Sequence, residues 1–198
     1  MPLPSQRSRG PLAFDQDRHC NRPQQPLPIG DEGEIAIRCD GQMTGFWENP
    51  EATAERVTSD GFVLTGDIGR LDENGYLYVL DRKDDMIISG GYNIWPAELE
   101  NTIAEHPAVI EVAVFAVPDE RWGETPAAVC VIAEGDADHD ALRNEVVQLC
   151  VDQLGSYKKP GVVEFRTEPL PKSPVGKVQR RTLREPYWQG VDRRVGGV

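Results

Sequence analysis

Four short stretches of this sequence carry the side chains best suited to binding and catalysis: "LTGDIG" (64–69), "DRKDD" (81–85), "SGGYNIWPAELE" (89–100) and "PKSPVGK" (171–177). In the first stretch, Asp67 stands between glycines, and its carboxylate offers two acceptor oxygens to a sugar diol. In the second, the planar guanidinium of Arg82 could contact the same diol or a phosphate. These two side chains are therefore candidates for holding a phosphorylated sugar.

The third and fourth stretches offer backbone freedom and a positive charge. Gly90 and Gly91 allow a ligand to approach the backbone closely, or allow a positive φ. Lys177 is a mobile cation on a loop shaped by Pro171 and Pro174. Each motif also has a purely structural interpretation: a turn former, half of a salt bridge, a hairpin bend and a solvated lysine. The residues taken singly leave both interpretations open.

The Gly-Lys pair of the fourth stretch is not a P-loop. A Walker A loop needs G-x-x-x-x-G-K followed by Ser or Thr, so that backbone amides surround the phosphates and the hydroxyl binds Mg²⁺. Here Pro171 occupies the position of the first glycine, and Val178 follows the lysine. The sequence around Lys177 also lacks the strand–loop–helix pattern of that fold.

Charge is distributed unevenly along the chain. The net charge is −12, which argues against a general nucleic-acid binder. Residues 158–184 nevertheless contain eight Lys or Arg against two Glu, a local excess of +6 that leaves −18 for the remainder. A basic patch on an acidic protein suits a small polyanion such as a nucleotide or a phosphorylated cofactor. A solvated helix face followed by a tail is the alternative.

Composition indicates an intracellular globular protein. Cys20, Cys39, Cys130 and Cys150 lie far apart without metal-site spacing, which predicts reduced structural thiols in a cytoplasmic protein. No apolar run approaches the roughly 18 residues of a membrane span. Residues 1–28 lack the apolar segment of a signal peptide and are rich in Pro and Arg. They are predicted to be disordered or extended.

Residues 29–83 are predicted to form a small antiparallel β unit. "GEIAIRC" alternates apolar and polar residues as a half-buried strand does. A short helix is predicted from Pro50, with Asn49 before it, to Arg56. The Asn74-Gly75 dipeptide between two apolar runs predicts a hairpin.

Residues 84–184 are predicted to form a small α+β domain with helices packed on a mostly antiparallel sheet. Its predicted elements are a Gly-Gly hairpin ("MIISGGYNIW"), a proline-bounded helix ("PAELENTIAEHP"), strands "VIEVAVFAV" and "PAAVCVIAE", an amphipathic helix ("DHDALRNEVVQLCVDQL"), a strand ("GVVEFR") and a short helix ending near Arg184. The amphipathic helix is expected to bury Leu142, Val146, Leu149 and Cys150. Residues 185–198 are predicted to be a flexible tail.

Together and in this order, the four stretches resemble the adenylate-forming superfamily of acyl-CoA synthetases, luciferases and peptide-synthetase adenylation domains. The resemblance runs from about Gly30 to Arg184 and includes "GEIAIR…MTGFWENPEATAE", which looks like the segment before that family's ribose-binding aspartate. It implies that residues 29–83 are the end of the large AMP-binding domain. Residues 84–184 would be the α+β C-terminal lid domain.

The resemblance also implies roles for individual residues. Asp67 and Arg82 would hold the ribose of ATP, Asp84 would be the hinge, and Lys177 would reach the substrate carboxylate and α-phosphate. A further set would line the path of CoA: Ser89, Gly90, Gly91 and Tyr92 near the pantetheine thiol, with Trp122 and Lys159, of the stretch 157–159, near the CoA nucleotide.

The implied activity is that of an ATP-dependent carboxylic acid–CoA ligase, similar to fatty-acid–CoA ligases. Its substrates would be a carboxylic acid, ATP and CoA, with Mg²⁺ bound mainly by a larger N-terminal domain. No Ser/Thr/Gly-rich phosphate loop precedes residue 30, so a separately encoded N-terminal part or an intact homologue is an expected partner. The alternatives are a non-catalytic nucleotide- or CoA-binding or regulatory module, and a fragment of a freestanding adenylation enzyme. A peptide-synthetase origin is disfavoured, because only a short tail follows Lys177.

Overall fold

A computed structural model describes residues 18–21, 25–135 and 138–190, with side chains from residue 27 onward. Most of the predicted lead-in and the end of the predicted tail, residues 1–17, 22–24 and 191–198, lie outside the described residues. The chain divides into two compact units, Met1–Asp84 and Asp85–Val198. The predicted change of character at residue 84 thus coincides with the division between the units.

Over its described residues, the first unit contains five strands and one α-helix: β1 (Arg18–Asn21), β2 (Gln25–Pro26), β3 (Gly33–Ile37), α1 (Pro50–Arg56), β4 (Val63–Leu71) and β5 (Leu77–Arg82). The strands form one antiparallel sheet in the order β2-β1-β3-β4-β5. Two of them, β1 and β2, lie within the lead-in predicted to be disordered or extended. A small apolar cluster of Ala36, Phe62 and Leu64 packs in this unit.

Local sequence signals explain two features of the first unit. Helix α1 begins at Pro50 because the Asn49 side chain accepts a hydrogen bond from the Ala52 N–H at 3.0 Å. The hairpin predicted at Asn74-Gly75 joins β4 to β5, with Leu71 paired to Leu77. Its loop is wider than the dipeptide, because the Asp72 carboxylate accepts from two N–H groups further along the loop.

In the part of the second unit that the structure describes, there are five strands and three α-helices: β6 (Ile87–Ser89), β7 (Tyr92–Ile94), α2 (Pro96–Ile103), β8 (Val109–Asp119), β9 (Gly123–Ile132), α3 (His139–Leu154), β10 (Val162–Arg166) and α4 (Arg180–Arg184). Strand β9 is central. Along one edge it pairs with β8, which is antiparallel to it. Along the other edge it pairs with β10, which is parallel, and with β6, which is antiparallel. The predicted α+β class with mostly antiparallel strands is confirmed.

Both faces of the β8–β9 hairpin are buried, with alternate residues on opposite faces. On one face, Val114, Ala116, Ala128 and Cys130 of the hairpin pack against two helices. The helix residues in this cluster are Leu99 and Ile103 of α2 and Leu142, Val146 and Cys150 of α3. The other face packs on the C-terminal segment and contains Ala113, Phe115, Val117, Ala127, Val129, Val131 and Leu170. Continuous apolar runs such as "AVFAV" follow from burial on both faces. Of the predicted α3 stripe, only Leu149 is half-buried.

Two segments differ from the predicted boundaries. Strands β8 and β9 extend into the turn-rich "PDERWGET", because Asp119 Oδ1 accepts from the N–H groups of Arg121 (2.9 Å) and Trp122 (2.8 Å) and closes a short turn. The chain after Arg184 continues in a 3₁₀ turn over 185–188, within the predicted flexible tail. The Trp188 indole donates to the Ala116 carbonyl at 2.9 Å, which anchors this turn to β8.

The cysteines whose side chains are described, Cys39, Cys130 and Cys150, are all free thiols, as the sequence predicts. Burial raises the pKa of Cys130 to about 12, with a further contribution from Cys150, and the pKa of Cys150 to about 11. A thiol must ionise to react. These two core thiols should therefore be inert in the folded protein.

We expect Cys130 and Cys150 to report the integrity of the second unit. In a Cys20→Ser, Cys39→Ser background, their reaction with an aromatic disulfide at pH 8 should be at least about a hundredfold slower than that of an exposed cysteine. Both thiols should react at the ordinary rate once urea unfolds the protein. Rapid modification under native conditions would contradict the burial of these side chains.

Candidate active site

Asp67 and Arg82 are directly opposite each other on neighbouring strands. They form a register pair of β4 and β5, and Arg82 Nε lies 2.9 Å from Asp67 Oδ1. The side chains remain 35% and 56% exposed, so both groups keep donors and acceptors directed at solvent. The two residues predicted to contact one sugar are thus adjacent, and the salt-bridge interpretation of Arg82 applies as well.

The backbone before Asp67 needs a glycine. Gly66 has φ +78°, and a Cβ at this position would lie 2.6 Å from Nη1 of Arg56. The Thr65 hydroxyl accepts from the Asp67 N–H at 3.1 Å and donates to the Ile35 carbonyl at 3.1 Å. The Thr-Gly-Asp sequence therefore fixes the aspartate at the start of the β4–β5 pairing.

The segment after Arg82 leads from the first unit into the second. Residues Lys83–Asp85 form a 3₁₀ turn in which Asp84 is exposed. Lys83 Nζ lies 2.5 Å from Oε2 of the buried Glu34, which attaches the start of the turn to β3. The residue predicted to be a hinge, Asp84, therefore immediately follows an anchored lysine and ends the first unit.

The Gly-Gly motif forms the turn of the β6–β7 hairpin, in which Ser89 pairs with Tyr92. Both glycines have a positive φ, +57° at Gly90 and +86° at Gly91, as a two-residue hairpin turn requires. The Gly90 N–H donates to the Trp122 carbonyl at 2.9 Å. A Cβ on Gly90 would lie 2.7 Å from the Trp122 ring, so the indole covers this glycine.

Aromatic and basic side chains gather around this turn. The Tyr92 and Tyr157 rings lie 5.1 Å apart, and the Arg121 guanidinium lies 4.4 Å from the centre of the Trp122 ring. Tyr92, Trp122 and Tyr157 are all about half exposed. The structure thus brings together most of the residues predicted for the CoA path, and Lys159 is exposed beside Tyr157.

Lys158, rather than Lys159, is the lysine held in a fixed position here. Its Nζ donates to both carboxylate oxygens of Glu98 at 2.6 Å, and it lies 5.6 Å from the centre of the Tyr157 ring. Burial alone would lower the pKa of Lys158, but the Glu98 hydrogen bond and charge outweigh it and raise that pKa. This pair attaches the turn at 156–158 to the first turn of α2.

The Lys177 loop is closed by its own backbone. The Ser173 N–H donates to the Lys177 carbonyl at 2.8 Å, and the Lys177 N–H donates to the Ser173 hydroxyl at 3.2 Å. Gly176 adopts φ +81°, and the Gln179 N–H donates to the Pro171 carbonyl at 2.8 Å. The loop is therefore an ordered hairpin, and the Lys177 side chain projects from it into solvent.

Glu111 of β8 anchors the chain that enters this loop. It lies 2.7 Å from Lys172 Nζ and accepts from the Leu170 N–H at 3.4 Å. The Lys172 hydrogen bond is the main reason that the pKa of Glu111 is lowered. Arg180, which follows the loop, contacts Glu100 and Asp85. The lysine loop is thus attached on both sides to carboxylates of the second unit.

The Lys177 loop and the Gly-Gly turn are anchored at opposite ends of the central hairpin. Glu111 pairs with Val131, whereas Ser89 pairs with Gly123 at the other end of β9. These two positions of β9 are separated by about 26 Å at ~3.3 Å per strand residue. The second unit therefore presents its two candidate loops at separate ends of the hairpin.

Sequence reasoning missed the carboxylates that hold these loops. Glu98 and Glu100 were visible only as acidic residues at the start of a helix, and Glu111 as one polar residue in a strand. Their partners Lys158, Arg180 and Lys172 contribute to the +6 of residues 158–184. Much of that local charge is therefore neutralised by carboxylates from elsewhere in the chain, and the basic patch is weaker than composition predicts.

Within 18–21, 25–135 and 138–190, no helix is long and apolar enough to cross a membrane. Over the same ranges, no group of three or more His, Cys, Asp or Glu residues is arranged to hold a metal ion.

The chain is similar in sequence to known proteins. Residues 98–177 match the family model described as the AMP-binding enzyme C-terminal domain. A long-chain-fatty-acid–CoA ligase of Mycobacterium tuberculosis is 44% identical over 156 residues, covering 79% of this chain and 30% of the relative. A feruloyl-CoA synthase of an Amycolatopsis species is 42% identical over 178 residues, covering 89% and 35%. The chain thus spans about a third of the length of these curated relatives.

A solved structure shows the same similarity in three dimensions. The crystal structure of ATP-bound MatB from Rhodopseudomonas palustris superposes with a TM-score of 0.79 at 36% identity, covering 89% of this chain and 35% of that chain.

We expect Gly90→Ala to destabilise the second unit more than Gly91→Ala does. Both substitutions place alanine at a positive φ, which costs roughly 1–2 kcal/mol. Only the Gly90 variant also forces a Cβ against the Trp122 ring, and overpacking adds about 1–3 kcal/mol. The difference should appear in urea unfolding followed through the thiols of Cys130 and Cys150. Equal unfolding free energies for the two variants would contradict the Trp122 contact.

Proposed function

This chain belongs to the adenylate-forming enzymes and contains their AMP-binding C-terminal domain, and on that premise we propose that it works as the C-terminal part of an ATP-dependent carboxylic acid–CoA ligase. In the first half-reaction, the acid's carboxylate attacks the α-phosphorus of ATP, which gives an acyl-adenylate and pyrophosphate. In the second, the CoA thiol attacks the acyl carbon, which gives acyl-CoA and AMP. The relatives name different acids, so the proposal extends to carboxylic acids as a class.

The observation that carries this proposal is the cross-strand pair of Asp67 and Arg82. A carboxylate can accept a hydrogen bond from each of two ribose hydroxyls, and the neighbouring guanidinium can donate to ribose or phosphate oxygens. Their mutual contact at 2.9 Å orients the two groups before a ligand arrives, which reduces the entropy lost on binding. Their partial exposure leaves the remaining donors and acceptors available to a nucleotide.

Lys177 is proposed to stabilise the adenylation step. The attack joins two anions, and negative charge builds up on the α-phosphoryl group as the bond to pyrophosphate breaks. An ammonium aimed at these oxygens lowers the barrier by an amount typical of a preorganised donor, about 3–4 kcal/mol. The hydrogen-bonded loop supports this role, because it fixes the backbone and leaves only the lysine side chain to be ordered.

The opposite end of the second unit is proposed to serve the thioester step. The Gly-Gly turn offers a surface without side chains along which a narrow pantetheine arm could lie. The exposed rings of Tyr92, Trp122 and Tyr157 suit stacking on the CoA base, and Lys159 suits its phosphates. The ~26 Å spacing of the two anchors along β9 supports alternate use of the two ends, with Asp84 as the hinge.

A chimera tests the proposed function. Residues 30–198 would replace the matching C-terminal third of the M. tuberculosis ligase. The chimera should catalyse acid-dependent exchange between ATP and pyrophosphate, and should form acyl-CoA. The relative without its C-terminal third serves as the negative control, and the intact relative as the positive one. A folded chimera that performs neither half-reaction would contradict the proposal. Binding of ATP or CoA by the full chain would then favour the non-catalytic module.

Lys177→Ala should separate the two half-reactions in this chimera. We expect the rate of ATP–pyrophosphate exchange to fall by about 10²–10³-fold, whereas acyl-CoA formation from supplied acyl-adenylate should change little. Lys159→Ala is the matched control and should do the reverse, with a raised KM for CoA and unchanged exchange. Equal losses in both half-reactions for Lys177→Ala would exclude the proposed role of this lysine.

A further inference from the structure

Arg180 lies three residues after Lys177, at the first position of α4, and its guanidinium bridges two carboxylates. Its Nε and Nη2 donate to the two oxygens of Glu100 at 3.0 and 2.7 Å. Its Nη1 donates to Asp85 Oδ2 at 3.1 Å. One planar group thus holds α2 and the residue that opens the second unit. Arg180 has no role in the proposed chemistry so far.

Glu100 extends this network into the central hairpin. Its Oε1 also accepts a hydrogen bond from the Val114 N–H at 2.8 Å. Within the described residues, β8 pairs only with β9, so this N–H points away from the ladder and Glu100 satisfies it. Arg180 is therefore connected through one carboxylate to β8, a strand of the buried central hairpin.

The backbone of the Lys177 loop transmits the position of Arg180 to the lysine. The Gln179 N–H bonds to the Pro171 carbonyl, and Val178 forms a bridge with Lys172, so the base of the loop closes immediately before Arg180. Loss of the Arg180 guanidinium would therefore release the side of the loop base that ends at Gln179. The other side would still be held by Glu111.

Stability alone is a weak explanation for this cluster. The side chains of Arg180, Glu100 and Asp85 are only 19–29% exposed, and well-packed apolar residues often stabilise a protein as well as a buried ion pair does. The Arg180 guanidinium also provides a fixed geometry. Its two hydrogen bonds to Glu100 and its third to Asp85 hold the arginine side chain in one orientation. A lysine at this position could supply the charge without that orientation.

We propose that Arg180 is the positioning residue of Lys177, and that its bond to Asp85 ties the lysine loop to the segment that leaves the hinge. This inference rests on the proposed function for its catalytic consequence. Arg180 contacts no reacting atom and acts through the placement of the loop. A misplacement of about 1 Å can cost up to about 10²-fold in rate, so the effect is measurable.

The first test uses the full chain by itself. We expect Arg180→Met to speed hydrogen exchange in the peptide that spans 170–180 by about tenfold or more, and Arg180→Lys to give an intermediate increase. Arg143→Met is the matched control, because it removes an arginine of α3 whose ion pair with Asp140 and hydrogen bond to the Val163 carbonyl both lie outside the 170–180 peptide. Unchanged exchange in Arg180→Met would overturn the proposal.

The second test measures the two half-reactions in the chimera. Arg180→Met should lower kcat of adenylation by about 10- to 100-fold while acyl-CoA formation from supplied acyl-adenylate stays within about twofold. Asp85→Asn should slow adenylation by about threefold or more without faster exchange at 170–180, because Glu100 still holds Arg180. If Arg180→Met slowed both half-reactions equally and also unfolded faster, Arg180 would have only a structural role.

The two tests separate this inference from the proposed function. An inactive wild-type chimera would refute the ligase proposal, and hydrogen exchange would still decide whether Arg180 holds the loop. An active chimera whose adenylation is insensitive to Arg180→Met would leave the ligase proposal standing and overturn the positioning role. An unchanged adenylation rate in Asp85→Asn would reject the link to the hinge segment and leave the placement of the lysine loop by Arg180 unaffected.

Discussion

Burial of the β8–β9 hairpin on both faces is the constraint on which the second unit depends. Alternate residues of these strands must face α2 and α3 on one side and the C-terminal segment on the other. The C-terminal segment is therefore held against the sheet through Leu170, Val178 and Leu183, and the Trp188 indole adds a hydrogen bond to β8. The lysine loop lies within this segment, so packing that looks purely structural also places the candidate catalytic residue.

Much of the fold could be predicted from local signals. Asn49 before Pro50 predicts the start of α1, and the two glycines predict the β6–β7 turn, because each signal acts within a few residues. The apolar runs predict β8 and β9 for the same reason. The boundaries are less accurate where a single side chain extends an element, as Asp119 does when it closes a three-residue turn.

The partners of the candidate site residues could not be predicted in this way. Lys158 meets Glu98 across 60 residues of sequence, and Arg180 meets Glu100 across 80. Such pairs form only after the sheet and helices have packed, and no local spacing identifies them. Family resemblance placed Lys177 and the Gly-Gly turn, but it did not show which carboxylates hold them or that these carboxylates offset the basic stretch.

The distance between the two candidate loops at the ends of the central hairpin has an energetic consequence. Groups separated by more than about 10 Å without shared partners usually contribute independently to free energy. The free-energy effects of substitutions around Trp122 and around Lys177 should therefore add in a double-mutant cycle, so the sequence at one end can vary without compensating changes at the other. Arg180 is the exception, because its contact with Asp85 joins the lysine end to the segment that precedes β6. That guanidinium gives the two ends a direct side-chain link in addition to the hairpin that they share.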